Sequence, residues 1–167
     1  MAPKQLPVRP TTDRAKEALF NILNHRLDWE STLALDLFSG TGNIAYELAS
    51  RGVSQIIAVD QNIHCVRFIS KTTSLLDLPI DCVKNSVEKF LLQPRGSFDF
   101  IFADPPYAFT EDALKALVTT LFEGNWLKSD GVFVLEHDSH LDISHFDFFE
   151  SARKYGNSTF SFFEHNQ

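Results

Sequence analysis

The run Leu33-Ala34-Leu35-Asp36-Leu37-Phe38 passes without a spacer into Ser39-Gly40-Thr41-Gly42 and then into a helically periodic stretch at 43–51, stopped by Gly52. A short apolar strand, a turn holding two glycines and an amphipathic helix form the first half of a βαβ unit. A helix following a strand this closely commits the next strand to lie parallel to the first, because the chain must cross back over the sheet.

The pattern repeats. Residues 55–60 read as a strand and 63–76 as a helix; 80–83, 87–92 and 98–103 follow as strand, short helix and strand. The next helix spans 110–122, with Thr110 as cap and Glu111 and Asp112 in its first turn, where carboxylates complement the helix dipole. A strand at 132–136 and two more around 146–149 and 159–164 complete the chain. The turn-like Tyr155-Gly156-Asn157 separates the last two, which predicts an antiparallel hairpin at the sheet edge. Ahead of all this, Thr11 or Thr12 can cap a helix whose apolar positions are Ala15, Ala18, Leu19, Ile22 and Leu23. The expectation is one α/β domain over 1–167: a mostly parallel seven-stranded sheet with helices on both faces, closed by a C-terminal antiparallel hairpin.

Composition narrows the function. A formal net charge of −7 argues against indiscriminate binding of nucleic acid, although Lys4, Arg9, Arg14 and Lys16 against Asp13 leave a small basic face near the N-terminus. No apolar run approaches the roughly 18 residues needed to span a bilayer, and the first residues carry no apolar leader, so the expected location is the cytoplasm. Cys65 and Cys82, without CxxC spacing or a neighbouring His pair, read as buried thiols rather than zinc ligands, and no metal is expected. The sixteen Phe, several in partial alternation near the C-terminus, read as strand residues packing on the core.

Ligands in open parallel sheets bind beyond the carboxyl ends of the strands. Here the first such end carries Asp36 to Asn43, and Asp60 closes the second strand about twenty residues later, where a carboxylate can accept ribose hydroxyls. Gly40-x-Gly42-x-x-Ala45 satisfies the loose dinucleotide pattern and equally suits S-adenosylmethionine, whose phosphate-free cationic end favours an acid such as Asp36. The glycines do not choose between the two.

The stretch Ile101-Phe102-Ala103-Asp104-Pro105-Pro106-Tyr107 adds the second half of a site. Each proline fixes its own φ, and the residue before a proline is pushed to extended geometry, so a carboxylate and adjacent carbonyls are held rigidly beside an aromatic ring. Acceptors next to a ring suit an exocyclic amine on a nucleobase, with Asp104 and Pro105 accepting its N–H groups and Tyr107 stacking on the base. His137 reads as a polar strand terminus near the same crevice.

Together, Arg9-Pro-Thr-Thr-Asp-Arg14 leading into Glu17-Ala-Leu-Phe-Asn21, the Asp36 to Gly42 turn, Asp60, Asp104-Pro-Pro-Tyr107 and Arg153-Lys-Tyr-Gly156 resemble the RsmD family of methyltransferases. That family methylates the N2 amine of one guanine in small-subunit 16S ribosomal RNA with S-adenosylmethionine, and the type implied acts on guanine 966. The resemblance implies a Rossmann-like class I methyltransferase fold, in which residues 1–25 form an arm and helix over the active site. It implies a cofactor site of Asp36, Phe38, Ser39, Gly40, Gly42 and Asn43 at the methionine end, Asp60 and Gln61 at the ribose, and Asn85 and Ser86 at the adenine. The catalytic residues would be Asp104, Pro105, Pro106 and Tyr107. Arg9, Thr11, Thr12, Asp13 and Arg14, with Tyr107, would touch substrate. The partner implied is 16S rRNA in the small subunit or its assembly intermediate, met by a monomer. From the residues alone, an adenine-N6 or amide methyltransferase, an NAD-dependent oxidoreductase and a catalytically silent RNA-binding module remain alternatives.

Overall fold

The structure, a computed structural model, describes residues 12–166. Lys4, Arg9 and Thr11 lie outside the described residues. Seven strands form one sheet: β1 (Leu33–Leu37), β2 (Gln55–Asp60), β3 (Ile80–Lys84), β4 (Phe98–Ala103), β5 (Leu127–Asp138), β6 (Phe149–Tyr155) and β7 (Ser158–Phe163). Their spatial order is β3-β2-β1-β4-β5-β7-β6. The first five are parallel, and β7 runs antiparallel between β5 and β6. The order reverses between β1 and β4, and that switch point is where an open α/β sheet offers a crevice.

Among the described residues five α-helices cover the sheet: α1 (Asp13–Leu23), α2 (Asn43–Ser50), α3 (Ile63–Leu76), α4 (Val87–Phe90) and α5 (Glu111–Glu123). Strand residues alternate between two cores. Ala34, Ile56, Ala58, Phe100, Phe102, Val134, Phe160 and Phe162 pack against α1, α2 and Ile69 of α3. Leu35, Leu37, Val59, Ile101, Phe133, Leu135 and Phe163 pack against α4 and α5. Strands buried on both faces must be apolar at nearly every position, which is why β1 and β4 read as continuous runs. Thr12 caps α1 by accepting the Ala15 N–H at 3.2 Å. The buried face of α1 is Ala15, Leu19, Phe20 and Leu23; Ala18 and Ile22 are half-buried at its margin.

Three elements differ from the sequence expectation by more than one residue. The strand expected at 146–149 is instead 149–155. Phe146 is a buried loop anchor, and Phe148 adopts φ 66° and stacks on Phe122 with centroids 4.2 Å apart. The strand proper, Phe149-Glu-Ser-Ala-Arg-Lys-Tyr155, is polar because it is the exposed sheet edge, where charges discourage further pairing. Strand β5 starts at Leu127 rather than 132: its polar residues Lys128, Ser129 and Asp130 lie where the register with β4 shifts. Helix α4 ends at Phe90, with Leu91 as its cap.

Candidate active site

The C-terminal ends of β1, β2 and β4 lie side by side, since Leu37 registers with both Val59 and Ala103. A cavity of about 380 Å³ opens there. Of the expected residues, Asp36, Phe38, Ser39, Gly40, Asn43, Asp60, Gln61 and Asp104 to Tyr107 line it. The cavity also takes in Glu88, Phe109, Glu136, His137 and Asp138, which no motif marked except His137. Gly42, Asn85 and Ser86 do not line it. Ser86 caps α4 at the Lys89 N–H, and the Asn85 N–H donates to the Asp60 main-chain carbonyl at 3.1 Å. Of the expected substrate segment, Thr12 is the α1 cap, and Asp13 and Arg14 are exposed on the first turn.

The glycine turn is held from β2. Ser39 donates its N–H to Val59 O at 3.0 Å, and the Gly40 N–H donates to Asp60 Oδ2 at 2.9 Å. The other Asp60 oxygen accepts the Asn62 N–H at 2.8 Å, so this carboxylate organises two loops while it faces the cavity. Gly42 caps α2 at φ 87°, and a Cβ there would meet Tyr46 Cζ at 2.8 Å. Its glycine is required by the fold's own packing, whereas Gly40 (φ 55°) lies on the cavity wall. Asn43 accepts from Lys16 Nζ at 3.0 Å, tying the start of α2 to α1.

Asp36 is the most unusual group in the site. It is 1% exposed, on the β1 face that looks toward α2, and its Oδ2 has no hydrogen-bond partner. Burial, then the nearby Asp60 carboxylate, push its carboxyl well above the ordinary 3.8, opposed by a hydrogen bond from the Ala45 main chain. A buried, orphaned acceptor on a cavity wall is a place made for a donor or a cation.

The loop after β4 is fixed by the Phe109 N–H, which donates to Pro106 O at 2.9 Å. The Phe109 ring meets Phe38 edge to face at 5.3 Å, so the glycine turn and the Asp104 loop brace each other across the switch point. Tyr107 beyond them is 62% exposed at the cavity mouth. His137 uses both ring nitrogens: Nδ1 donates to Asp138 O at 2.9 Å and Nε2 accepts from Ser161 Oγ at 2.8 Å. Burial lowers its pKa, and this neutral, doubly engaged ring is a structural strut.

The charge of the lining separates the two cofactor chemistries that the glycines left open. Among the described residues it holds six carboxylates (Asp36, Asp60, Glu88, Asp104, Glu136 and Asp138) and no Lys or Arg. A pyrophosphate is repelled by such a lining; a sulfonium and an ammonium are attracted. No cluster of potential metal ligands occurs among the described residues, and no described helix is long and apolar enough to cross a membrane.

Strand order, switch-point crevice and acidic lining define a Rossmann-like class I S-adenosylmethionine-dependent methyltransferase fold. The family described as conserved hypothetical protein 95 matches residues 1–164, and the chain belongs to it: this is the RsmD family of rRNA methyltransferases. The ribosomal RNA small subunit methyltransferase D of Buchnera aphidicola is 30% identical, over 81% of this chain and 68% of its own. A Thermus thermophilus hypothetical protein of solved structure superposes with a TM-score of 0.84 at 28% identity, covering 98% of this chain and 91% of that one. The T. thermophilus 16S rRNA N2 G1207 methyltransferase, solved with AdoMet and guanosine, shares the fold with a TM-score of 0.75 at 22% identity, over 96% of this chain and 45% of that one.

Proposed function

We propose that this protein is a 16S rRNA guanine-N2 methyltransferase of the guanine-966 type, with S-adenosylmethionine as its methyl donor. The observation that carries the reading is the placement of Asp104-Pro105-Pro106-Tyr107 in the same cavity as the glycine turn and Asp60. A methyltransferase that binds AdoMet and guanosine on the same fold supports it, as do relatives named as small-subunit rRNA methyltransferases.

The residues present fit the donor. Asp36 has a buried, unpartnered acceptor that would meet the cationic end, Ser39, Gly40 and Asn43 would hold the methionine part, and Asp60 and Gln61 would hold the ribose, all of them residues of one cavity wall. When bound, S-adenosylmethionine supplies an electrophilic methyl group on a sulfonium. Asn85 and Ser86 directly follow β3 and do not line the cavity, whereas Glu88 does and would offer an acceptor to an adenine amine.

On the substrate side, an aryl amine is a weak nucleophile because its lone pair is delocalised into the ring. Asp104 and the adjacent main-chain carbonyls accept its N–H groups and hold the nitrogen with its lone pair toward the donor's side of the cavity, which is catalysis by orientation and electrostatics. Asp104 takes the proton released as the amine is methylated, directly or through water. Tyr107, exposed at the mouth, stacks on the extruded base. The enzyme acts as a cytoplasmic monomer on the small subunit or its assembly intermediate.

Labelled S-adenosylmethionine incubated with small subunits from cells lacking the enzyme tests this. Digestion to nucleosides should place the label in N2-methylguanosine. Label in N6-methyladenosine would replace the base, and an unlabelled subunit would end the small-subunit reading.

A further inference from the structure

A second cavity, of about 440 Å³, adjoins the first, and Glu136 and Ser158 belong to both walls. Its chemistry is opposite. Arg14 at the first turn of α1 and Lys154 near the end of β6 line it together with the hairpin tip Gly156-Asn157 and Thr12. Both cations are exposed, and neither takes part in an ion pair among the described residues, whereas Lys16, Arg26, Arg51 and Lys128 all do. In a chain of net charge −7, two uncommitted cations facing one cavity beside an all-acidic one are a local reversal of sign.

The hairpin tip is held in place. Ser158 registers with Asp138 on β5, and the Ser139 N–H donates to Asn157 O at 3.0 Å, so the tip is pinned to the same sheet edge on which the active-site cavity opens. Space above the tip is open, since a Cβ on Gly156 would meet nothing within 4 Å. Asp13, on the same helical turn as Arg14, does not line the cavity.

We infer that this second cavity is a phosphodiester subsite for the RNA strand: Arg14 and Lys154 hold a backbone phosphate flanking the nucleotide whose base enters the first cavity. The inference rests on the RNA-methyltransferase reading above and adds a site to it. A base extruded by rotation about its backbone keeps the flanking phosphates of its strand close to the mouth of the pocket it enters. The carboxylates of the first cavity exclude phosphate from it, and Glu136 at the shared wall marks the boundary. Across that boundary, a phosphate meets positive charge in the adjoining cleft between α1 and the β6–β7 tip. Such contacts position the strand and carry no sequence information.

The test uses the intact protein and a fluorescein-labelled RNA stem-loop with an unpaired guanine, titrated over a range of salt. Arg14→Gln and Lys154→Gln should each lower the dependence of log K on log salt by about 0.9, so that the wild-type advantage falls roughly threefold for a fourfold rise in salt. The double variant should lose about twice that slope. Asn157→Asp, which keeps shape and brings a carboxylate into the cleft, should raise the RNA KM with kcat little changed. S-adenosylhomocysteine affinity should stay at the wild-type level in all four variants, which also reports that they fold. Wild-type RNA binding with unaltered slopes and KM in the variants would overturn the subsite alone. A wild-type protein that neither binds nor methylates RNA would overturn the functional reading and the subsite together.

Discussion

Replacing Gly42 with alanine separates two reasons for a glycine in this turn. At φ 87° an L-residue pays about 1–2 kcal/mol for the left-handed backbone. The added Cβ would stand 2.8 Å from Tyr46 Cζ, 2.9 Å from its hydroxyl and 3.0 Å from Ile69 Cγ1. A ring cannot yield as a flexible chain end can, so overpacking adds about 1–3 kcal/mol. The sum, roughly 2–5 kcal/mol, corresponds to a fall in Tm of about 4–20 °C for a chain of this size. Thermal unfolding followed by circular dichroism reads this directly. In a double-mutant cycle with Tyr46→Ala, the contact part should vanish and the backbone part remain, giving a coupling of about 1–3 kcal/mol. Because Gly42 does not line the cavity, the folded variant should bind S-adenosylhomocysteine within a few-fold of wild type. Unchanged stability with lost affinity would refute the reasoning, and would make Gly42 a point of ligand approach after all.

Asp36→Asn should flatten the pH dependence of stability. With its folded pKa raised, Asp36 keeps in the folded state a proton that the unfolded chain has released, so stability falls as pH rises from about 3.8 through the folded value. Chemical denaturation across that window should show wild type losing ground to the variant at up to about 1.4 kcal/mol per pH unit; parallel profiles would contradict the burial argument. Asp104→Asn should cut methyl transfer by roughly 10²–10⁴-fold while S-adenosylhomocysteine still binds, as read by single-turnover kinetics and calorimetry. Tyr107→Ala should cost about 1–3 kcal/mol in RNA binding, seen in KM rather than in cofactor affinity. Arg26, which bridges Glu164 at 2.6 Å and Glu150 at 2.9 Å and lies over the Phe162 ring, is partly exposed, so Arg26→Ala should lower stability by no more than about 2 kcal/mol.

The parallel half of the fold was legible because strands buried on both faces leave long apolar runs and their crossover helices keep a 3.6-residue period; β2, α3 and β4 have the expected bounds. The edge was not. In 146–149 four neighbouring residues, three of them Phe, look like a strand, but an aromatic side chain can anchor a loop equally well, as Phe146 and Phe148 do. The true edge strand carries Glu150, Arg153 and Lys154, the residues that a search for apolar alternation passes over. At the candidate site, positions next to a glycine or a proline were visible through backbone chemistry. Phe109 and Glu136 were not, because their membership depends on how β4 and β5 register, and no local pattern encodes that. The orphaned oxygen of Asp36 is likewise a property of what surrounds it.

The insertion of β7 between β5 and β6 bears on how the chain reaches its native state. Until that strand arrives, β5 is an open edge built of Phe133, Val134 and Leu135, all fully buried in the finished sheet. Strand β6 cannot shield it, since among the described strands β6 pairs with β7 alone. A molecule caught with its hairpin undocked therefore offers a long, apolar, unpaired strand to any other chain in the same condition. The last pairing is thus also the step that removes the main route to aggregation, and substitutions that weaken Phe160 or Phe162 should show first as loss of soluble yield.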